Sequence, residues 1–235
     1  MPFFFDTYGF FLLIPAFLLA LLAQARVSSA MSRFSRVDTS KGLSGARVAE
    51  AILSRQGVSD VQVERLNSNA GDHYDPTTRT VRLSAHVYDS ASVTAVAVAA
   101  HEAGHAIQHS ESYSPLTVRN RIFPVVRLAS NAAVPLIIIG FLLSAGYEAT
   151  QMTILIDIGI IFFATTVVFH LITLPVEFNA SRRAKEVLES GDYLSGDELR
   201  GASKVLSAAA MTYVAAATMA ILQLLRFILM ANRRR

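Results

Sequence analysis

Apolar residues fall in four long blocks, and the intervals between them set the expected architecture. The blocks are 7–25 ("TYGFFLLIPAFLLALLAQA"), about 124–146 (ending "AAVPLIIIGFLLSAG"), 152–174 ("MTILIDIGIIFFATTVVFHLITL") and about 205–230. Each is long enough to cross a bilayer as a helix, which takes about 20 residues. The fourth is Ala-rich and carries Gln223 and Arg226, so its signal is weaker. Ala23-Gln24-Ala25 has the small-residue form of a signal-peptide cleavage site. However, no Lys or Arg precedes the first block, whose only early charge is Asp6. Without a basic leader region, an uncleaved anchor is the expectation.

Between the first two blocks the pattern shortens. Ser44 is placed to cap a helix running to about Ser54 and stopping at Gly57. Residues 58–66 ("VSDVQVERL") alternate apolar and polar side chains like a strand, and 78–84 ("TRTVRLS") read as a second. The intervening "NSNAGDHYDP" is turn chemistry, so the two strands are expected to form a hairpin with a long loop. Ser90 or Ser92 then caps a helix containing "AVAVAAHEAGHAIQH", 95–109. The resulting organisation is an anchor at 1–25, an α+β domain at 26–123, a transmembrane hairpin at 124–174, a helix at 175–204, and a membrane helix with a basic tail at 205–235. The fold class is mainly α, a membrane bundle of about four spans carrying a small α+β domain.

Composition sharpens this picture. Apolar residues make up 52% of the chain and charged residues 17%, with a mean hydropathy of +0.41; soluble domains carry about 25% charge. The net charge of +3 is too small to suggest a nucleic-acid partner. There are no cysteines, so any metal must be held by His, Asp or Glu.

Three histidines and a glutamate in an Ala/Val helix are the chemical anomaly. Each buried ionisable group costs several kcal/mol unless paired or bound. His101 and His105, four residues apart, share a helix face, and Glu102 lies beside them. This is the HExxH arrangement, in which two imidazoles bind Zn²⁺ and the glutamate serves as general base. With 6 His and 9 Glu in the chain, chance supplies about 0.006 such matches, which favours metal binding over satisfied core histidines.

A catalytic zinc site needs a third protein ligand and an open position. His109 lies one further turn along and is displaced unless the helix breaks. The pattern in which a Gly ends the helix before a third His fails, because Gln108 and Glu111 occupy those places. Glu177, in "LPVEFNASRRAKEVLES" (174–190), is the distant candidate. If the second and third spans form a hairpin, Glu177 emerges on the same side as His101 and His105. Alternatively it neutralises Arg182 or Arg183. Glu148 lies on the wrong side and Asp157 inside a span.

"HEAGHAIQ" together with "LPVEFNASRRA" resembles the YugP-like membrane zinc metallopeptidases, which are similar to the wider gluzincin group. The likeness spans essentially the whole chain. It implies a zinc-dependent endopeptidase (a hydrolase) with one Zn²⁺ per chain, His101, His105 and Glu177 as metal ligands, and Glu102 as catalytic base. Substrates would be proteins or peptides, membrane proteins among them. The wider group often has an Asp four residues after its ligand Glu, where this chain has Ser181, so Ser181 or Asn179 is expected to orient a ligand histidine. Tyr213, His170 and His86 are candidates for stabilising an oxyanion, though Tyr213 and His170 are rather expected to be interface and bundle residues.

Basic residues follow the first span (Arg26, Arg33, Arg36, Lys41), precede or open the second (Arg119, Arg121, Arg127) and lie between the third and fourth (Arg182, Arg183, Lys185, Arg200, Lys204). The positive-inside rule then puts the 26–123 domain and Glu177 in the cytoplasm, in a multi-pass bacterial plasma-membrane protein. The terminal Arg233, Arg234 and Arg235 disagree with four full spans. Two other functions fit the same residues: a scaffold in which zinc only clamps the fold, and a proton relay through Asp157, His170 and the HExxH histidines.

Overall fold

The computed structural model describes residues 9–67, 71–143 and 153–232. The expectations for the turn around Glu148 and for the terminal arginines lie outside the described residues. After a π-helical turn at Gly9–Leu13 the elements are α1 (Ile14–Phe34), α2 (Gly45–Arg55), β1 (Gln62–Leu66), β2 (His73–Asp75), β3 (Thr80–Ser84), α3 (Ala85–Tyr88), α4 (Val93–Ser110), α5 (Ser114–Leu143), α6 (Thr153–Ser190) and α7 (Gly196–Asn232).

Contacts divide the chain into two compact units. One is formed by the chain up to Leu22, by Val118–Leu174 and from Tyr213 onward. Among the described residues of the whole chain, four helices are long and apolar enough to cross a membrane: Gly9–Phe34, Ser114–Leu143, Ile154–Ser190 and Gly196–Asn232. The unit's small core joins Ile137, Phe141, Ile156, Phe227 and Ala231. Large apolar side chains such as Val125, Leu128, Leu142 and Ile161 stay exposed, as a lipid-facing surface requires.

The other unit comprises Ala23–Thr117 and Pro175–Thr212, so its two parts are separated in sequence by most of the membrane helices. Its core gathers Val48 and Ile52 of α2, Val81 and Leu83 of β3, the alanines of α4, Ala184 and Leu188 of α6, and Val205 of α7. Ser44 caps α2 as the sequence predicts, its hydroxyl accepting from the Arg47 N–H at 3.4 Å.

The sheet differs from the expected hairpin. Its order is β1-β3-β2, with β1 parallel to β3 and β2 antiparallel to it. The hairpin is β2–β3, and β2 lies inside the stretch whose composition reads as a turn. Asp75 tightens the β2–β3 connection by accepting from Thr77 N–H and Thr78 Oγ1, both at 2.9 Å, and from Arg82 Nη1 at 2.8 Å. Arg79 takes a left-handed φ of 51° there. Those contacts hold the Asp75 carboxyl well below the usual carboxylate range, chiefly through the Arg82 guanidinium.

A second departure concerns Pro175, expected at the start of a new helix. Instead α6 runs unbroken through it for 38 residues. The ring removes one backbone hydrogen bond, and the helix continues on either side. The apolar block and Glu177 therefore belong to one continuous helix.

Candidate metal centre

The HExxH segment lies on α4 because its cap and its neighbours hold it there. Ser92 Oγ accepts from Ala95 N–H at 3.3 Å and closes the amino end. Val93 N–H donates to the Val37 carbonyl at 2.8 Å, and the Thr94 hydroxyl donates to the Met31 carbonyl at 3.1 Å. Along the helix Ala95, Ala97, Ala99, Ala100, Ala103 and Ala106 are buried, small enough to let other elements close on it from several sides. His101 and His105 stack along one face, their ring centroids 4.8 Å apart and their planes at 84°.

Glu177 of α6 meets that face. Its Oε2 lies 3.3 Å from His101 Nε2 and 3.6 Å from His105 Nε2. One ligand atom from each residue falls within 4.8 Å of the others, and among the described residues this is the one such cluster of three. Two donors, each about 2.0–2.1 Å from a shared tetrahedral centre, stand about 3.4 Å apart. The observed separations match that edge length. The donor set of two nitrogens and one carboxylate oxygen, with no sulfur, also suits a zinc centre.

The outer ring nitrogens are engaged elsewhere. His101 Nδ1 is 3.2 Å from Ser181 Oγ, and His105 Nδ1 is 2.9 Å from Gln108 Oε1. Both Nε2 atoms therefore face the Glu177 carboxylate. Ser181 thus reaches one histidine, as the sequence suggests. The Asn179 side chain instead accepts from Gln108 Nε2 at 2.9 Å and from Arg183 Nε at 2.8 Å.

Glu102, only 8% exposed, sits between this cluster and the sheet. Burial pushes its carboxyl up to about 7, and the nearby Glu177 and Asp72 carboxylates push the same way. The backbone N–H of Tyr74, on β2, bonds to it.

The remaining sequence candidates fall elsewhere. His109 stays on the unbroken helix, its Nδ1 2.7 Å from the Tyr74 hydroxyl. Burial raises that phenol to about 12. Glu111 pairs with Arg183 at 2.6 Å, and Arg182 pairs with Glu186 at 2.8 Å, so both arginines have carboxylate partners other than Glu177. His86 Nε2 lies 3.3 Å from Ser84 Oγ, which donates to Asp72. Tyr213 and His170 belong to the other unit. Sequence reading missed Gln108 as a partner of His105 and Arg183 as its more distant support. Gln108 is three residues from His105 and Arg183 four from Asn179, but the Gln108–Asn179 contact that joins them spans 71 positions and no local periodicity marks it.

Comparison with known proteins converges on the same chemistry. The chain matches the family described as "Putative neutral zinc metallopeptidase" over residues 9–232. It is 48% identical, over 93% of its own length and 94% of the relative's, to the "Putative membrane protease YugP" of Bacillus subtilis (strain 168). No solved structure matches the chain. With nearly its whole length covered and a His-His-Glu cluster at its HExxH helix, this membrane protein belongs to that zinc metallopeptidase family.

Proposed function

We propose that the protein is an integral-membrane, zinc-dependent endopeptidase with His101, His105 and Glu177 holding one Zn²⁺ and Glu102 as general base. The observation that carries this reading is the tetrahedral-edge spacing of Glu177 Oε2 from each of the two Nε2 atoms. When bound, the ion supplies a Lewis acid for the scissile carbonyl and an acidified water. The chain's own residues do the rest. Ser181 and Gln108 fix the two imidazole rings from behind. Glu102 accepts the water's proton and passes it to the departing amine. Its buried place one residue from His101 on the same helix keeps that carboxyl beside the proposed metal position.

The substrate is a protein or peptide. Glu177 follows Leu174, the end of an apolar block, by three residues along one helix, which supports membrane proteins among the substrates. The basic residues flanking the spans support a plasma-membrane location with the site facing the cytoplasm.

The test is metal analysis of the detergent-purified chain, together with peptide hydrolysis by the wild type and Glu102→Gln. The expected result is about one zinc per chain in both proteins and hydrolysis only in the wild type. Wild-type hydrolysis by Glu102→Gln removes the base; wild-type protein that binds no zinc sinks the reading.

A further inference from the structure

Gln108 is fully buried, three residues beyond His105 on α4. A buried carboxamide must satisfy both ends, and its two ends are not interchangeable. Gln108 Nε2 lies 2.9 Å from the Val176 carbonyl oxygen and 2.9 Å from Asn179 Oδ1. The backbone carbonyl only accepts. The Asn179 oxygen is fixed in turn, because Arg183 Nε, which only donates, approaches it at 2.8 Å. Glu111 holds that guanidinium at 2.6 Å from its other side. Rotating the Gln108 amide would set its oxygen against two acceptor oxygens, and rotating Asn179 would set its amino group against a guanidinium. The orientation is thus determined from both ends of the chain of contacts.

One consequence remains for His105. The atom facing its Nδ1 at 2.9 Å is Gln108 Oε1, an oxygen that can only accept. A proton of His105 must therefore sit on Nδ1, so that in the neutral imidazole a metal requires it is Nε2 that carries the lone pair. His101 lacks such a partner: the Ser181 hydroxyl at its Nδ1 can either donate or accept.

We propose that Gln108 is a positioning residue, locked by Val176, Asn179 and Arg183, that holds the His105 proton on Nδ1 and so presents Nε2 to the metal. This assignment rests on the zinc-peptidase reading for what Nε2 binds. It concerns a fully buried side chain hydrogen-bonded to the ring nitrogen of His105 that faces away from Glu177, and it separates the two histidines by how firmly each is set.

The test uses the full chain in detergent and measures zinc affinity by competition with a chromogenic chelator. Gln108→Leu removes the acceptor and the donors. Gln108→Glu loses the donors to Val176 and Asn179 but keeps an acceptor against His105 Nδ1. The expected result is a loss of about 10–100-fold in affinity for Gln108→Leu, the usual range for removing a ligand's outer partner. Gln108→Glu should stay within about threefold of the wild type, even if it is equally destabilised to heat. Equal affinities in the two variants overturn the proposal, because a purely structural glutamine would move both alike. Should neither variant fold, ¹⁵N-resolved NMR of the zinc-loaded wild type decides. The His105 resonance, assigned by its loss in His105→Gln, should show the proton on Nδ1, and a proton on Nε2 overturns the assignment. Wild-type protein that binds no zinc overturns the peptidase reading and this inference with it; tight wild-type binding with a failed Gln108 result overturns the inference alone.

Discussion

A Cβ added to Gly104 would stand 2.9 Å from the carbonyl oxygen of Ala180. Gly104 is the residue before the second HExxH histidine, and Ala180 follows Glu177 by nearly one turn of α6. The missing side chain therefore sets how closely the helix of the two histidines approaches the helix of the carboxylate. The three nearest atoms are all backbone atoms of Ala180, so no flexible side chain can move out of the way.

Gly104→Ala should accordingly push the helices apart. Overpacking of this kind costs about 1–3 kcal/mol, although Ala in place of a helical Gly returns up to about 1 kcal/mol of propensity. Zinc affinity should fall together with thermal stability, since metal and fold are coupled. Chelator competition and thermal unfolding in detergent read the two effects. Unchanged zinc affinity would show that the approach of α4 to α6 does not control the cluster.

Glu177 and Glu111 offer a paired comparison of carboxylates. Glu177 is buried against two imidazoles, whereas Glu111 is a half-exposed partner of Arg183. Glu177→Ala should release zinc from the purified protein. Glu111→Ala removes a surface ion pair worth about 0–1 kcal/mol but not the separate Arg183–Asn179 bond, and should leave the metal in place. Stoichiometric zinc in Glu177→Ala would remove it from the ligand set.

The sequence shows these features unevenly. His101, Glu102 and His105 are legible because a helix repeats every 3.6 residues, and a spacing of four survives any tertiary context. Glu177 is legible only through span topology and likeness to a family, since nothing local ties residue 177 to residue 105. The strand pairing differs from the expected hairpin because Asn, Gly, Asp and Pro dominate 67–76 and mask the three residues of β2. Parallel pairing of β1 with β3 leaves no mark in either strand's alternation. The Gln108–Asn179–Arg183 contacts are invisible for a third reason: a glutamine in an apolar helix has the same sequence signature whatever it faces.

Burial of Glu102 makes the metal-free protein sensitive to pH in a defined direction. Its carboxyl binds a proton more readily in the fold, at about 7, than at its ordinary 4.5. Its contribution to stability is therefore fully present below the ordinary value and lost as pH rises through about 7. In chelator-treated protein Glu102→Gln should be more stable than the wild type at pH 8 by about 3 kcal/mol, taking 1.36 kcal/mol per unit. The difference should vanish near pH 4. Thermal unfolding of both proteins across that range checks it; a difference independent of pH would refute the assigned cause. Zinc should reverse the effect, because a nearby dication favours the carboxylate.

The proposed cytoplasmic placement is accessible to labelling, because the chain has no native cysteine. Ser59 is exposed and lies between α2 and β1. Ser59→Cys should resist an impermeant thiol reagent in intact cells and react once the cells are opened. Ready labelling from outside would invert the topology.

The unit that holds the cluster is split in the chain, Ala23–Thr117 being made well before Pro175–Thr212. From residue 105 to residue 177 the ribosome must add 72 residues, which at about 5–20 residues per second takes roughly 4–14 s. During that interval the HExxH helix exists without its carboxylate. The same delay follows from the order of the residues and needs no inhibitory segment. A newly made chain is therefore born incomplete at its chemical centre, and it stays so until the third apolar block has left the ribosome.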